Sequence, residues 1–212
     1  MAIISVKNVS LTLGKTQILK DINVGFEESK IHGLIGRNGS GKTMLMKCIC
    51  GFIKPTNGEI TVDEKRVGKD VDFPKDMGII IETPGFIPYY SGYKNLKLLA
   101  GLNNKISKDE VRDSMKKVGL DPDLKRHVKK YSLGMRQRLG LAQAIMENPK
   151  ILVLDEPFNG LDKQGVADMR RYLLELKANG KTILIASHSA EDIDVLCDTV
   201  HEMDKGYIQR VR

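Results

Sequence analysis

KIHGLIGRNGSGKTMLMKCICGF, residues 30 to 52, sets a near-continuous apolar run, a glycine-rich turn and a helix-forming run end to end. An apolar run without polar alternation, such as IHGLIG (31–36), is the pattern of a parallel strand covered on both faces. The turn GRNGSGKT (36–43) carries Gly36, Gly41, Lys42 and Thr43 at the P-loop spacing. Gly36, Gly39 and Gly41 let backbone N–H groups turn inward around an anion without Cβ clashes, and Arg37, Asn38 and Ser40 complete the loop. The helix opened by KTMLMKCICGF adds its positive end. Lys42 is then placed to reach β- and γ-phosphates, and the Thr43 hydroxyl to ligate Mg²⁺.

Working outward, GIIIE (78–82), ILVLDE (151–156) and TILIAS (182–187) repeat the buried-strand pattern, whereas AIISVKNVSLTL (2–13), QILKDINVGFE (17–27) and EITVDEKRV (59–67) alternate as half-buried antiparallel strands do. Residues 93 to 148 read as helical. SKDEVRDSMKKVG (107–119) has Ser107 and Glu110 as a capping box and Gly119 as a stop. LGMRQRLGLAQAIMEN (133–148) ends before Pro149, and DKQGVADMRRYLLELKANG (162–180) ends at Gly180. Asp204-Lys205-Gly206 signals a hairpin. The expected fold is α/β: a P-loop NTPase with a RecA-like parallel sheet core, an antiparallel β subdomain and an inserted helical subdomain, forming one domain over 1–212. We place the β subdomain at about 1–30 and 57–70, the core at about 31–56, 71–83 and 149–212, and the helical part at about 84–148.

The composition of the 212 residues, 41% hydrophobic and 29% charged, is that of a soluble globule. No apolar run approaches the ~20 residues that cross a bilayer. MAIISVKNVS (1–10) lacks a basic segment followed by a long apolar core, so no signal peptide is expected. Cys48, Cys50 and Cys197 make neither a disulfide framework nor a zinc pattern and read as small core residues in a reducing compartment. The expected address is cytoplasmic. The net charge of +7 fits a polyanionic partner, and its densest patch, KRHVKK (125–130), reads as a solvated loop.

ILVLDEP (151–157) supplies the chemistry that a phosphate loop lacks. The strand delivers Asp155 and Glu156 to its C-terminal edge, where ligands sit in open α/β sheets. Asp155 is expected to hold Mg²⁺ through water, and Glu156 to take a proton from a water attacking in line with the γ-phosphate.

Joined to these two motifs, YSLGMRQRLGLAQAI (131–145) resembles the nucleotide-binding subunit of ABC transporters. SLGMRQ (132–137) is similar to the family signature, usually written LSGGQ: Ser132, Gly134 and Gln137 keep the small and polar groups, while Tyr131, Leu133 and Met135 depart. NGLD (159–162) resembles the family D-loop, ending at Asp162, and Ser187-His188 resembles its switch histidine. The resemblance runs through essentially the whole chain in family order. It implies a homodimer or heterodimer of ATPase subunits that stack head to tail and sandwich two ATP molecules. Each nucleotide would lie between the P-loop of one subunit and the signature helix of the other, contacted by Ser132 and Gly134, with Gln137 and Asp162 alongside. It further implies that His188 hydrogen-bonds the γ-phosphate and the attacking water. His32, His127 and His201 lack that context and read as structural. Separate transmembrane permease subunits complete the transporter, with this chain peripheral on the inner membrane face and no nucleic acid bound.

Beyond the signature, two further positions depart from the family. The aromatic residue that stacks on adenine is replaced by Leu13, so binding is expected to rest mainly on the phosphates. At IIIETPGF (79–86) the loop that normally carries Gln has Glu82. That Glu, the Pro-Gly after it and the form SLGMRQRLGLA resemble the bacitracin-resistance and lantibiotic-immunity branch, which implies export of a peptide antibiotic. A carboxylate binds a metal more strongly than an amide but repels the γ-phosphate when the metal is absent, so Glu82 is expected beside Mg²⁺. TPGFIPYYSGY (83–93) is expected to lie where the membrane subunit docks.

The competing reading is an ABC-type ATPase that acts on ribosomes or nucleic acid. One cassette without sustained heptads argues against it, and a small-molecule kinase leaves SLGMRQ and NGLD unexplained. From Leu13 we predict that ATP binds less than about tenfold more tightly than GTP in titration of the purified chain, since no ring stacks on the base.

Overall fold

The computed structural model describes residues 2–103 and 105–212. Alternation and continuity of apolar residues sort the strands into two sheets, as expected from their patterns. The alternating segments form β1 (Ala2–Leu13), β2 (Thr16–Glu27), β4 (Asn57–Val62) and the short β5 (Lys65–Arg66), an antiparallel sheet in the order β2-β1-β4-β5. The continuous apolar runs form β3 (Ile31–Ile35), β6 (Met77–Ile80), β7 (Ile151–Asp155) and β8 (Thr182–Ala186). These join β9 (Thr199–Asp204) and β10 (Tyr207–Arg210) in a sheet ordered β10-β9-β3-β8-β7-β6, parallel except for the β9–β10 hairpin.

The parallel strands are apolar throughout because both of their faces are covered. Leu152, Leu154, Ile183 and Ile185 face one core, shared with α2 (Gly92–Asn103), α3 (Lys108–Lys117), α4 (Leu133–Ile145) and α5 (Lys163–Ala178). Ile151, Val153, Leu184 and Ala186 face the other, shared with α1 (Lys42–Ile49) and the inner face of the antiparallel sheet. Each fully buried Leu or Ile contributes roughly 1.5–3 kcal/mol. The parallel sheet is thus clamped from both sides, and its C-terminal edge is held firmly where the loops leave it.

Helix ends follow the expected chemistry. Ser107 and Glu110 exchange a capping box, and α5 begins after Asp162, whose Oδ1 accepts from the Gly165 N–H at 3.2 Å. Three local features differ from expectation. EITVDEKRV is two strands, because Asp63 and Glu64 adopt φ of 47° and 66°, a tight hairpin turn. β6 stops at Ile80, since Glu82 at φ 59° cannot extend the strand. A short helix, α6 (Ala190–Leu196), follows β8 and is capped by Ser189. Among the described residues no helix is long and apolar enough to cross a membrane.

His32 and His201 are buried edge-on against Phe26. His32 is hydrogen-bonded at both ring nitrogens, whereas His201 Nδ1 has no partner among the described residues. Burial pushes both imidazoles down, His201 to about 4. Between the ordinary value of 6.5 and about 4 the unfolded chain therefore takes up a proton that the folded chain refuses. Stability is predicted to fall as pH drops through that window, read as a lower urea midpoint at pH 5 than at pH 7. His201→Phe is expected to shrink the difference between the two pH values.

Candidate functional site

The glycine-rich turn leaves β3 at Gly36, whose φ of 139° is a conformation that side chains resist. A Cβ there would meet Met203 O at 2.2 Å, so the loop closes against β9 only with glycine. Helix α1 starts after Gly41 with no side-chain cap, which leaves its first backbone donors for a ligand. The Lys42 ammonium folds into the loop, donating to Gly36 O at 2.7 Å and Arg37 O at 3.2 Å. The Ser40 hydroxyl is buried there with no partner among the described residues. Around these groups lies a hollow of about 410 Å³, lined by Ile18, residues 38–44, Asp155 and Glu156.

β7 reaches this hollow from the sheet. Its last residue, Asp155, accepts from the Thr43 hydroxyl at 2.7 Å through Oδ2. Glu156 then turns the chain with φ 50°, a left-handed geometry uncommon for a non-glycine, and its N–H donates to Ala186 O at 2.9 Å. The same turn points the Glu156 carboxylate at the loop after β8, where Oε2 lies 2.7 Å from His188 Nδ1. Two residues 32 positions apart are thereby brought together at the edge of the phosphate loop. A hydroxyl, two carboxylates, an ammonium and an imidazole converge there.

On another part of the surface, α4 begins after Ser132, whose Oγ accepts from the Met135 N–H at 3.2 Å. Gly134 packs against the loop preceding α5: a Cβ on it would stand 2.4 Å from Gly160 O. Asp162 is tied to α4 by Arg138 at 3.2 Å. Signature-like and D-loop-like segments thus form one continuous surface. Gln137 behaves differently from its neighbours. It is buried, and its Nε2 donates to Pro157 O at 2.9 Å and Glu156 O at 3.3 Å. In this chain its amide braces the turn that aims Glu156, rather than facing outward.

Leu13 and Glu82 lie outside the lining of the hollow. Leu13 is exposed at the tip of the β1–β2 hairpin, and Ile18 from the same hairpin is the apolar residue that reaches the hollow. Glu82 pairs with Lys47 of α1 at 2.5 Å, with its side chain 61% exposed. The nearest full charge answering Glu82 is therefore an ammonium carried by the phosphate-loop helix. Sequence reading missed Lys47; its one signal is a cation in the last turn of the helix that Lys42 begins.

Comparison with known proteins places these features in context. The family model described as ABC transporter matches residues 19–159. The ABC transporter ATP-binding protein YybJ of Bacillus subtilis (strain 168) is 45% identical over 206 residues, covering 97% of this chain and 94% of that protein. The bacitracin transport ATP-binding protein BcrA of Enterococcus faecalis is 39% identical over 97% of this chain and 68% of its own length. The lantibiotic transport ATP-binding protein SrtF of Streptococcus pyogenes is 37% identical over 97% of this chain and 88% of its own. Among solved structures, an ATP-binding subunit of an ABC transporter superposes with a TM-score of 0.87 at 25% identity, covering 99% of this chain and 90% of that one.

The close approach at Gly134 yields a prediction with an internal control. Gly134→Ala drives a methyl into the Gly160 carbonyl and is expected to destabilise the chain by about 1–3 kcal/mol. Gly101→Ala, in α2 with open space around it, is expected to be stabilising by roughly 0.4–1 kcal/mol. Urea denaturation of the two variants beside the parent checks both signs.

Proposed function

The chain belongs to the ABC transporter family, and we propose that it is the motor subunit of an exporter that moves a peptide antibiotic through membrane subunits on other chains. It is an ATP-binding subunit that hydrolyses ATP. The single observation carrying the hydrolytic mechanism is the meeting of Thr43, Asp155, Glu156 and His188 at the mouth of the phosphate loop. The similarity to BcrA and SrtF supports the antibiotic assignment. The relatives described are named for transport, so action on ribosomes or nucleic acid is set aside.

In this reading the backbone N–H groups of residues 36–41 and the Lys42 ammonium hold the β- and γ-phosphates of ATP. The unpartnered Ser40 hydroxyl is a further donor inside the same loop. Leu13 gives the base an aliphatic contact. The donors at Thr43 and Asp155 suit Mg²⁺: both are hard oxygens, and among the described residues no cluster of three His, Cys, Asp or Glu side chains competes for a softer or larger ion. The ion, when bound, neutralises charge on the β- and γ-phosphate oxygens. Glu156 accepts the proton of the attacking water, and His188 holds the Glu156 carboxylate and hydrogen-bonds the γ-phosphate.

Ser132, Gly134 and the start of α4 face the γ-phosphate of a second ATPase subunit, the D-loop at Asp162 lies in the same interface, and Gln137 keeps the Glu156 turn in place. The chain works in the cytoplasm against the inner membrane face, with residues 83–93 beside the docking membrane subunit. Glu82 is the metal-side acid. Its pairing with Lys47 supports a role in which the carboxylate is neutralised until Mg²⁺ arrives with ATP.

Glu156→Gln is predicted to lower kcat by about a hundredfold or more while ATP binding is retained, measured by phosphate release and by nucleotide titration. Glu82→Gln is predicted to shift the Mg²⁺ concentration giving half-maximal ATPase; an unchanged Mg²⁺ curve sinks the assignment of Glu82.

A further inference from the structure

An ion pair between buried Asp192 and half-buried Arg170 lies behind the hydrolytic residues. The Asp192 side chain, in α6, is only 6% exposed. Its Oδ1 accepts from Nε of Arg170 at 2.8 Å and also from Nη2 of the same guanidinium. Its Oδ2 accepts from the hydroxyl of Ser187 at 2.9 Å. Ser187 follows β8 directly and immediately precedes His188. The Ser189 N–H donates to the Ser187 Oγ at 3.1 Å, and the Asp192 N–H to the Ser189 Oγ at 3.3 Å. Both neighbours of His188 are therefore tied to Asp192, Ser187 through the carboxylate and Ser189 through the backbone N–H, and a guanidinium from α5 fixes that carboxylate.

His188 itself is 72% exposed. An exposed imidazole has no packed walls to select its rotamer, so its aim at Glu156 depends on the backbone that carries it. That backbone is the segment held by Ser187, Asp192 and Arg170. Nη1 of Arg170 also reaches Glu191 at 2.7 Å, an exposed rim partner. The same helix α5 is capped by Asp162, so one element links the D-loop-like segment to the loop after β8 through Arg170.

We propose that Arg170 and Asp192 are positioning residues of the hydrolytic site: their ion pair fixes residues 187–189 and so sets His188 against Glu156. This rests on the roles given above to His188 and Glu156. Neither residue lines the hollow around the phosphate loop. Loss of Arg170 leaves Asp192 buried without its cation, and the loop is freed to move while the contacts from residues 36–43 to the phosphates stay as they are. The effect is expected in kcat rather than in KM.

The test is a double-mutant cycle on the full chain, with its membrane subunits where they co-purify. ATPase is measured for the parent, Arg170→Met, Arg170→Lys, His188→Ala and the Arg170→Met/His188→Ala pair, with thermal melting of each. We expect Arg170→Met to lower kcat about tenfold with KM changed less than about twofold, and Arg170→Lys to restore part of the loss. In the His188→Ala background, Arg170→Met is expected to change kcat less than about twofold, because the group it positions is gone. An unchanged kcat for Arg170→Met, or an equal loss with and without His188, overturns the inference alone. Full activity in His188→Ala overturns the role of His188 and the inference with it.

Discussion

The hydrogen bond from the Thr43 hydroxyl to Asp155 Oδ2, at 2.7 Å, joins residues 112 positions apart. The proposed hydrolytic site depends on that register. Thr43 is fixed because Gly36 passes through a backbone conformation open only to glycine and α1 starts directly after Gly41. Asp155 is fixed because β7 lies between β6 and β8 with apolar cores on both faces. A slip of β7 by one residue would exchange its two buried faces and put Glu156 where Asp155 stands. The double-faced core is thus a positioning device for one carboxylate as well as a source of stability.

Charge placement follows the same logic. The phosphate loop gathers cationic and dipolar donors, and the strand edges answer with Asp155 and Glu156. Glu82 adds a third acid nearby, and Lys47 balances it from the helix that carries Lys42 and Thr43. The Glu82–Lys47 pair ties the loop leading to residues 83–93 to the phosphate-loop helix. A shift of α1 on binding nucleotide would be felt directly at Glu82.

Much of this was legible from residues alone. The runs IHGLIG, ILVLDE and TILIAS lack polar alternation because helices cover one face and a second sheet covers the other, and that absence identified the parallel core. The phosphate loop was legible because its backbone geometry admits few residue types. The capping box at Ser107 and the cap at Asp162 are local chemistry and were read as such or lie at the expected helix boundary. What escaped depends on contacts between distant segments. Lys47 and Glu82 are 35 positions apart, and nothing in either neighbourhood names the other. Gln137 turns inward only because the carbonyls of Glu156 and Pro157 pass beneath α4. The left-handed backbone at Glu82 and Glu156 carries no residue signature, and α6 is too short for periodicity to reveal.

In the proposed reading, a site that ends at Glu156 and His188 on one side, with Ser132 and Gly134 presented on another surface of the same chain, is complete only when two copies or close relatives face each other across ATP. The direct measurement is the solution mass of the Glu156→Gln variant, by light scattering or sedimentation, with and without ATP and Mg²⁺. The account predicts a monomer without nucleotide and a doubling of mass with ATP and Mg²⁺, reversed when the metal is chelated. A Glu156→Gln variant that binds ATP to saturation and stays monomeric, beside a parent chain that hydrolyses ATP as a single copy, would contradict the shared site.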